Sequence, residues 1–121
     1  MKKYAFPVMV ENGIQSIIAE HFGRAPKYIV LSEDKTHVST IINSGEHMGG
    51  VGKPPELLQN EAIDVLICKG LGPRAVQKFE VYGIEVYVGA QGTVDNAIND
   101  FKSGKLQMAT DENACKNARH H

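Results

Sequence analysis

The 121-residue sequence predicts a single α/β domain in which helices cover both faces of a mixed sheet. Three observations lead there: five short clusters of apolar, β-branched or aromatic residues, four stretches of helical apolar spacing, and an alternation of helix and strand through the second half. Strands joined through helices become parallel neighbours with right-handed crossovers. A sheet connected in that way is covered on both faces, giving an α/β sandwich.

The strand clusters are Lys3–Val10, Tyr28–Leu31, Val38–Ile42, Val65–Cys68 and Glu85–Val88, each rich in the side chains that fit a pleated, half-buried surface. Between the second and third lies Ser32-Glu33-Asp34-Lys35-Thr36, a polar turn of hairpin length, which makes that pair antiparallel. Leu106–Ala109 is a further candidate for a short strand. Of the helical stripes, Val94, Ala97, Ile98 and Phe101 recur at i, i+3, i+4 and i+7, opened by Thr93 as N-cap and closed by Gly104. Ala75, Val76, Phe79 and Tyr82 form a second stripe after Pro73, whose missing N–H costs little in a first helical turn. Leu57, Leu58 and Ala62 form a third after Pro54-Pro55-Glu56, and Ile14, Ile17, Ile18 and His21 a fourth that ends near Gly23 and Pro26. The domain is expected to span residues 1–110, with 111–121 a polar tail whose closing Arg119-His120-His121 is either native or the remnant of a purification tag.

Composition narrows the function. Thirteen Lys plus Arg against 14 Asp plus Glu leave a formal charge of −1, so there is no bulk basic field for nucleic acid. The longest apolar run, Tyr4–Val10, falls far short of the ~20 residues of a membrane span and lacks a signal-peptide cleavage pattern; a cytoplasmic protein without nucleic-acid or membrane partners is expected. The two cysteines, Cys68 and Cys115, are far apart and form no CxxC pair, so reduced thiols are expected.

Asn43–Lys53 is an eleven-residue connection with four glycines, and a compact domain rarely keeps such a loop without a use for it. Gly49, Gly50 and Gly52 allow backbone N–H groups to converge on an anion, while His47 and Met48 offer an imidazole and a soft thioether. A plain surface loop with a solvated His47 accounts for the same spacing. His21-Phe22-Gly23-Arg24-Ala25-Pro26 is the second candidate: Arg24 can hold an anion bidentately or form an ordinary surface ion pair, and His21 either points to a ligand or is a buried, hydrogen-bonded member of the Ile14 face.

Gly70 and Gly72, in Lys69–Arg74, follow a central strand and open a helix, where open α/β sheets bind ligands and helix N-termini favour anions. Such a turn is also commonplace between strand and helix. Cys68 reads as a buried hydrophobe. Cys115, with His120 and His121 near it, can take a soft metal if the tail folds back; exposed tail residues without a role are the alternative. No Gly-x-Ser-x-Gly elbow or grouped carboxylate pair is present, which argues against an enzyme and specifically against a hydrolase.

Taken in order, Glu20–Pro26, then His47-Met48-Gly49-Gly50-Val51-Gly52 with Pro55-Glu56, then Gly70-Leu71-Gly72 with Ala75, then Gly83-Ile84-Glu85-Val86 and the Thr93-Val94 helix start resemble the dinitrogenase iron–molybdenum cofactor biosynthesis family. The likeness covers residues 3 to 110, and the ordered series is more specific than any piece of it. The resemblance implies a three-layer α/β/α sandwich of ribonuclease H-like topology, with a mixed five-stranded sheet and one antiparallel strand. It also implies a non-catalytic carrier of a metal–sulfur cluster, molybdenum with iron or copper, of the stand-alone, orange-protein-like kind. Donor and acceptor proteins for that cluster are the implied partners, and the carrier is expected to be a monomer or weak homodimer. His21, His47 and Cys115 become metal-ligand candidates, with Arg24, Met48 and the glycines at 49, 50, 52, 70 and 72 completing the cofactor-binding set. The rival reading is a module for a small anionic metabolite or nucleotide held at the Gly70–Arg74 helix start. The first strand departs from the family pattern, running through Met9-Val10-Glu11 where relatives carry a shorter, aspartate-bearing segment.

Overall fold

A computed structural model describes residues 2–22, 25–43 and 54–109. Along the chain run β1 (Lys3–Val8), β2 (Lys27–Ser32), β3 (Val38–Ile42), α1 (Pro54–Asn60), β4 (Val65–Ile67), α2 (Pro73–Val81), β5 (Glu85–Val88), α3 (Val94–Lys102) and β6 (Gln107–Met108). One six-stranded sheet orders them β3-β2-β1-β4-β5-β6. β1, β4 and β5 are mutually parallel, as their helical connections require, while β2 lies antiparallel to both β1 and β3.

The expected sheet of five strands with one antiparallel member is corrected in both respects. After α3 the chain returns along β5 as the short antiparallel strand β6, with Val88 opposite Gln107 and Tyr87 opposite Met108, so β2 and β6 both run against the rest. The ribonuclease H-like topology implied by the resemblance is not established by this order.

Alternation along the strands divides the core in two. Ala5, Tyr28, Val30, Leu66 and Val86 face α1 and α2, meeting Leu58, Val76 and Phe79. The alternate residues Tyr4, Phe6, Val8, Ile29 and Ile67 face α3, meeting Val94, Ala97 and Ile98. Period-two strands between period-3.6 stripes thus yield helices on both sides, and burying a side chain such as Phe79 or Leu58 contributes roughly 1.5–3 kcal/mol each.

The turn between β2 and β3 is built by Asp34, whose Oδ1 accepts bonds from the Ser32 hydroxyl at 2.8 Å, the Thr36 hydroxyl at 2.7 Å and the Thr36 N–H at 3.1 Å. Those donors hold its carboxyl at about 2, below the ordinary value of 3.8. At the start of α3 the Thr93 hydroxyl accepts from the Asn96 N–H at 3.1 Å, and the Asn96 side-chain oxygen accepts from the Thr93 N–H at 3.0 Å, a reciprocal capping box. Gly92 makes room for it: a Cβ there would lie 2.6 Å from that same oxygen, and its φ of 75° already suits glycine.

The helix expected over Ile14 to His21 is absent. The segment opens on a tight turn, in which the Gln15 and Ser16 N–H groups donate to the Asn12 and Gly13 carbonyls at 3.0 and 3.1 Å, and then runs on with isolated bridges at Val8–Ile18 and Ile17–Thr93 to partners distant in sequence. The Ile18 N–H donates to the Gly92 carbonyl at 2.9 Å and the Ala19 N–H to the Pro7 carbonyl at 2.7 Å, while the Ser16 and Ile14 carbonyls accept from the Val94 and Asp95 N–H groups at 2.9 Å. These last two bonds satisfy first-turn donors of α3 that no intrahelical carbonyl can reach. Burial also runs against a helical face, with Ser16 at 1% and Ile17 at 61% exposed.

Candidate functional site

The site arises where two parallel strands part. β1 pairs with β4 only through Tyr4 and Ala5; Pro7, which has no N–H for a ladder, lies beyond that pairing, and β1 ends at Val8 rather than at the expected Val10. Met9 and Val10 leave the sheet and stand exposed. The strap from Ile18 to Phe22 crosses the opening, tied to Pro7 by the Ala19 bond. Across from it, β4 runs into Cys68, Lys69 and Gly70 before α2 begins. This is the carboxyl edge of the parallel strands, where α/β sheets offer ligand sites.

His21 is exposed at that edge, and the buried ring beside it fixes its place: Phe22 packs against Phe79 of α2 with centroids 5.6 Å apart and against Tyr28 of β2 at 5.7 Å. His21 and Phe22 line a cavity of about 300 Å³ with Gly70, Leu71, Gly72 and Ala75. His21 and the glycine turn, two candidates 49 residues apart in sequence, therefore share one wall. Arg24, His47, Met48, Gly49, Gly50, Gly52 and Cys115 lie outside the described residues, as does the tail.

Gly72 is the N-cap of α2, with φ −76° and ψ 165° and no side-chain cap bond. A Cβ at Gly70 or Gly72 would meet nothing within 4 Å; these glycines leave space above the helix start rather than relieve a clash. With Pro73 first in the helix and the macrodipole placing roughly half a positive charge at this end, the cavity floor favours an anion.

A second cavity of about 450 Å³ is lined by Met9, Val10, Ile17 and Ile18, by the neutral polar Asn12, Gln15 and Ser16, and by the charged pair Glu20 and Lys69. The Lys69 ammonium donates to Glu20 Oε1 at 2.9 Å, and this bond and charge lower the Glu20 carboxyl below its usual range. Sequence reasoning passed over this pair, because a separation of 49 positions leaves no local signal that Glu20 and Lys69 meet.

Coordination chemistry is sparse here. Among the described residues no three His, Cys, Asp or Glu side chains are grouped to hold a metal ion, and Cys68 is a poor thiolate donor because burial pushes its thiol up to about 12. What the described residues provide is one exposed imidazole, a helix N-terminus, a lysine and apolar walls. Such a set suits a soft anionic group held by charge and packing more than a bare cation. No helix among the described residues is long and apolar enough to cross a membrane.

Comparisons with known proteins agree with this architecture. An uncharacterized protein of Methanocaldococcus jannaschii is 29% identical over 97 residues, 74% of this chain and 80% of its own length. The apo orange protein of Desulfovibrio gigas superposes with a TM-score of 0.80 at 23% identity, over 90% of this chain and 93% of its own. A Thermotoga protein of the DUF35 family, solved by NMR, gives 0.71 at 23% identity over 89% and 93%. At that identity the two structures speak for the fold alone. The family model described as dinitrogenase iron-molybdenum cofactor matches residues 2–104, which takes in every element up to the end of α3, and the chain therefore belongs to the dinitrogenase iron–molybdenum cofactor family.

Proposed function

We propose that this chain is a non-catalytic carrier for a metal–sulfur cluster, an iron–molybdenum cofactor precursor or a molybdenum–copper sulfide species, handed on between donor and acceptor proteins in the cytoplasm. The observation that carries the reading is the meeting of His21 with the Gly70–Gly72 turn in one cavity at the carboxyl edge of β4, in a chain of this family. His21 offers a nitrogen to the cargo, the α2 start offsets its negative charge, and the neighbouring apolar walls suit polarizable sulfide better than a hydrated oxyanion. Anaerobic reconstitution with molybdate, sulfide and copper or iron tests it. Charge-transfer bands are expected in the visible spectrum, weakened in His21→Ala; a colourless, metal-free product overturns the carrier reading.

A second reading, a module for a small anionic metabolite or nucleotide, is favoured by one feature: α2 begins at a glycine without a side-chain cap and with open space above it. Thermal melting separates the two. A ligand at 100 times its Kd adds about 2.7 kcal/mol, so stabilisation by nucleotides or phosphate with no response to tetrathiomolybdate selects the second.

A further inference from the structure

The Glu20–Lys69 ion pair lies on the wall of the larger cavity, one residue along the chain from the lining of the smaller one on both sides. Glu20 and Lys69 line the larger cavity, while the next residue of each strand of chain, His21 and Gly70, lines the smaller. We infer that Lys69 is the anion-binding cation of the larger cavity and Glu20 its resident counter-ion, so that a soft thio-anion displaces Glu20 from Lys69 and occupies that cavity. The inference rests on the carrier reading and names the residue that selects its cargo.

Three features point this way. The pair is lopsided: the Lys69 side chain is 33% exposed and that of Glu20 72%, so the glutamate is the freer partner to swing into solvent while most of the lysine stem is packed. Lys69 is also held in place, because its carbonyl accepts from the Gly89 N–H at 3.0 Å beyond the end of β5. An exposed pair adds little to folding stability, so exchanging one partner for another leaves the fold intact.

The surroundings decide what exchanges. Apart from this pair, the described walls of the larger cavity carry no charged side chain; Asn12, Gln15 and Ser16 are polar but neutral, and Met9, Val10 and Ile17 present exposed apolar surface there. A strongly hydrated oxyanion must give up its water beside such walls, whereas a sulfide-rich anion gives up less and packs against a thioether and aliphatic groups. Lys69 then binds the charge and the walls discriminate by softness.

Tetrathiomolybdate and molybdate, both dianionic tetrahedra that differ in hydration, are the probes. The intact chain and its Glu20→Gln, Lys69→Gln and doubly substituted forms are titrated anaerobically with each, following absorbance, with melting temperatures as a check on folding. Tetrathiomolybdate is expected to bind more tightly than molybdate, about 2- to 5-fold more tightly still in Glu20→Gln, where the competing partner is gone, and at least about tenfold more weakly in Lys69→Gln. In the Lys69→Gln background, Glu20→Gln is expected to tighten binding less than it does in the intact chain, because only direct repulsion of the dianion is then relieved; an equal gain in both backgrounds also overturns the inference. If the unsubstituted chain binds but Glu20→Gln does not tighten it, or Lys69→Gln binds equally well, the inference fails and the carrier reading stands. Absence of binding to the unsubstituted chain overturns both.

Discussion

Replacing Gly72 by Asp should strengthen the fold and weaken the site, and that opposition is the sharpest consequence of the cavity geometry. Gly72 has extended backbone angles open to any residue, and its Cβ direction is empty. An aspartate there can accept from the N–H groups of the first turn of α2, a gain of a few tenths of a kcal/mol over glycine. Loss of glycine freedom in the unfolded chain adds about 0.4–1 kcal/mol, and a negative charge at the helix start adds about 0.3–1 kcal/mol. Together these amount to roughly 1–2 kcal/mol, and a chain of this length gains about 4 °C in Tm per kcal/mol.

The same carboxylate would occupy the floor of the cavity shared with His21. Two like charges about 6 Å apart at an effective dielectric of about 20 repel by about 3 kcal/mol, and solvent at the mouth reduces that. A tenfold loss in tetrathiomolybdate affinity needs only about 1.4 kcal/mol, so a loss of at least about tenfold is expected. Gly72→Asn, which caps without charge, should keep much of the stability gain and lose less affinity. Calorimetry and anaerobic titration on the three proteins decide the matter. A raised Tm with unchanged affinity would falsify the placement of an anion at the start of α2, and a lowered Tm would refute the cap geometry.

Other expectations concern single groups. Thr93→Ala removes one arm of the capping box and should cost about 1 kcal/mol, seen as a Tm lower by about 4 °C. Cys68 is 1% exposed with its thiol raised to about 12 by burial. In a Cys115→Ser background it should resist iodoacetamide at pH 8 and react only on unfolding; rapid labelling of the native protein refutes its burial. Because the folded thiol titrates above the unfolded one, its contribution to stability is complete below about pH 8.5 and declines as pH rises from there toward 12. Asp34 has the opposite sign. With its carboxyl held at about 2, the turn's contribution is intact above about pH 4 and is lost as pH falls toward 2, and a carboxyl titration midpoint near 3.8 by NMR contradicts the Ser32 and Thr36 bonds.

Much of the fold could be read from local signals. The stripes at Ala75–Tyr82 and Val94–Phe101, each with its own start signal, became α2 and α3, and a turn whose aspartate bonds its own neighbours became the β2–β3 hairpin. Ile14, Ile17, Ile18 and His21 misled because i, i+3, i+4 spacing reports a helix only when the backbone bonds stay local. Here the local bonds stop after one turn at Gln15 and Ser16, and the rest go to Pro7, Gly92, Val94 and Asp95, which no window of neighbouring residues can reveal. The same limitation applies to the site. His21 and the Gly70–Gly72 turn could each be picked out by residue type, yet their common cavity depends on how β1 and β4 diverge, and the Glu20–Lys69 pair is purely a product of that divergence.

The bonds from the Ser16 and Ile14 carbonyls to the first turn of α3 give the molecule a mechanical property. Ser16 and Ile17 border the larger cavity, and the segment that carries them is fastened through the Ser16 and Ile14 carbonyls to the start of α3, in whose core cluster Ile18 is packed. Displacing that wall therefore pulls directly on the first turn of α3, so the cavity border and the helix start move as one mechanical unit.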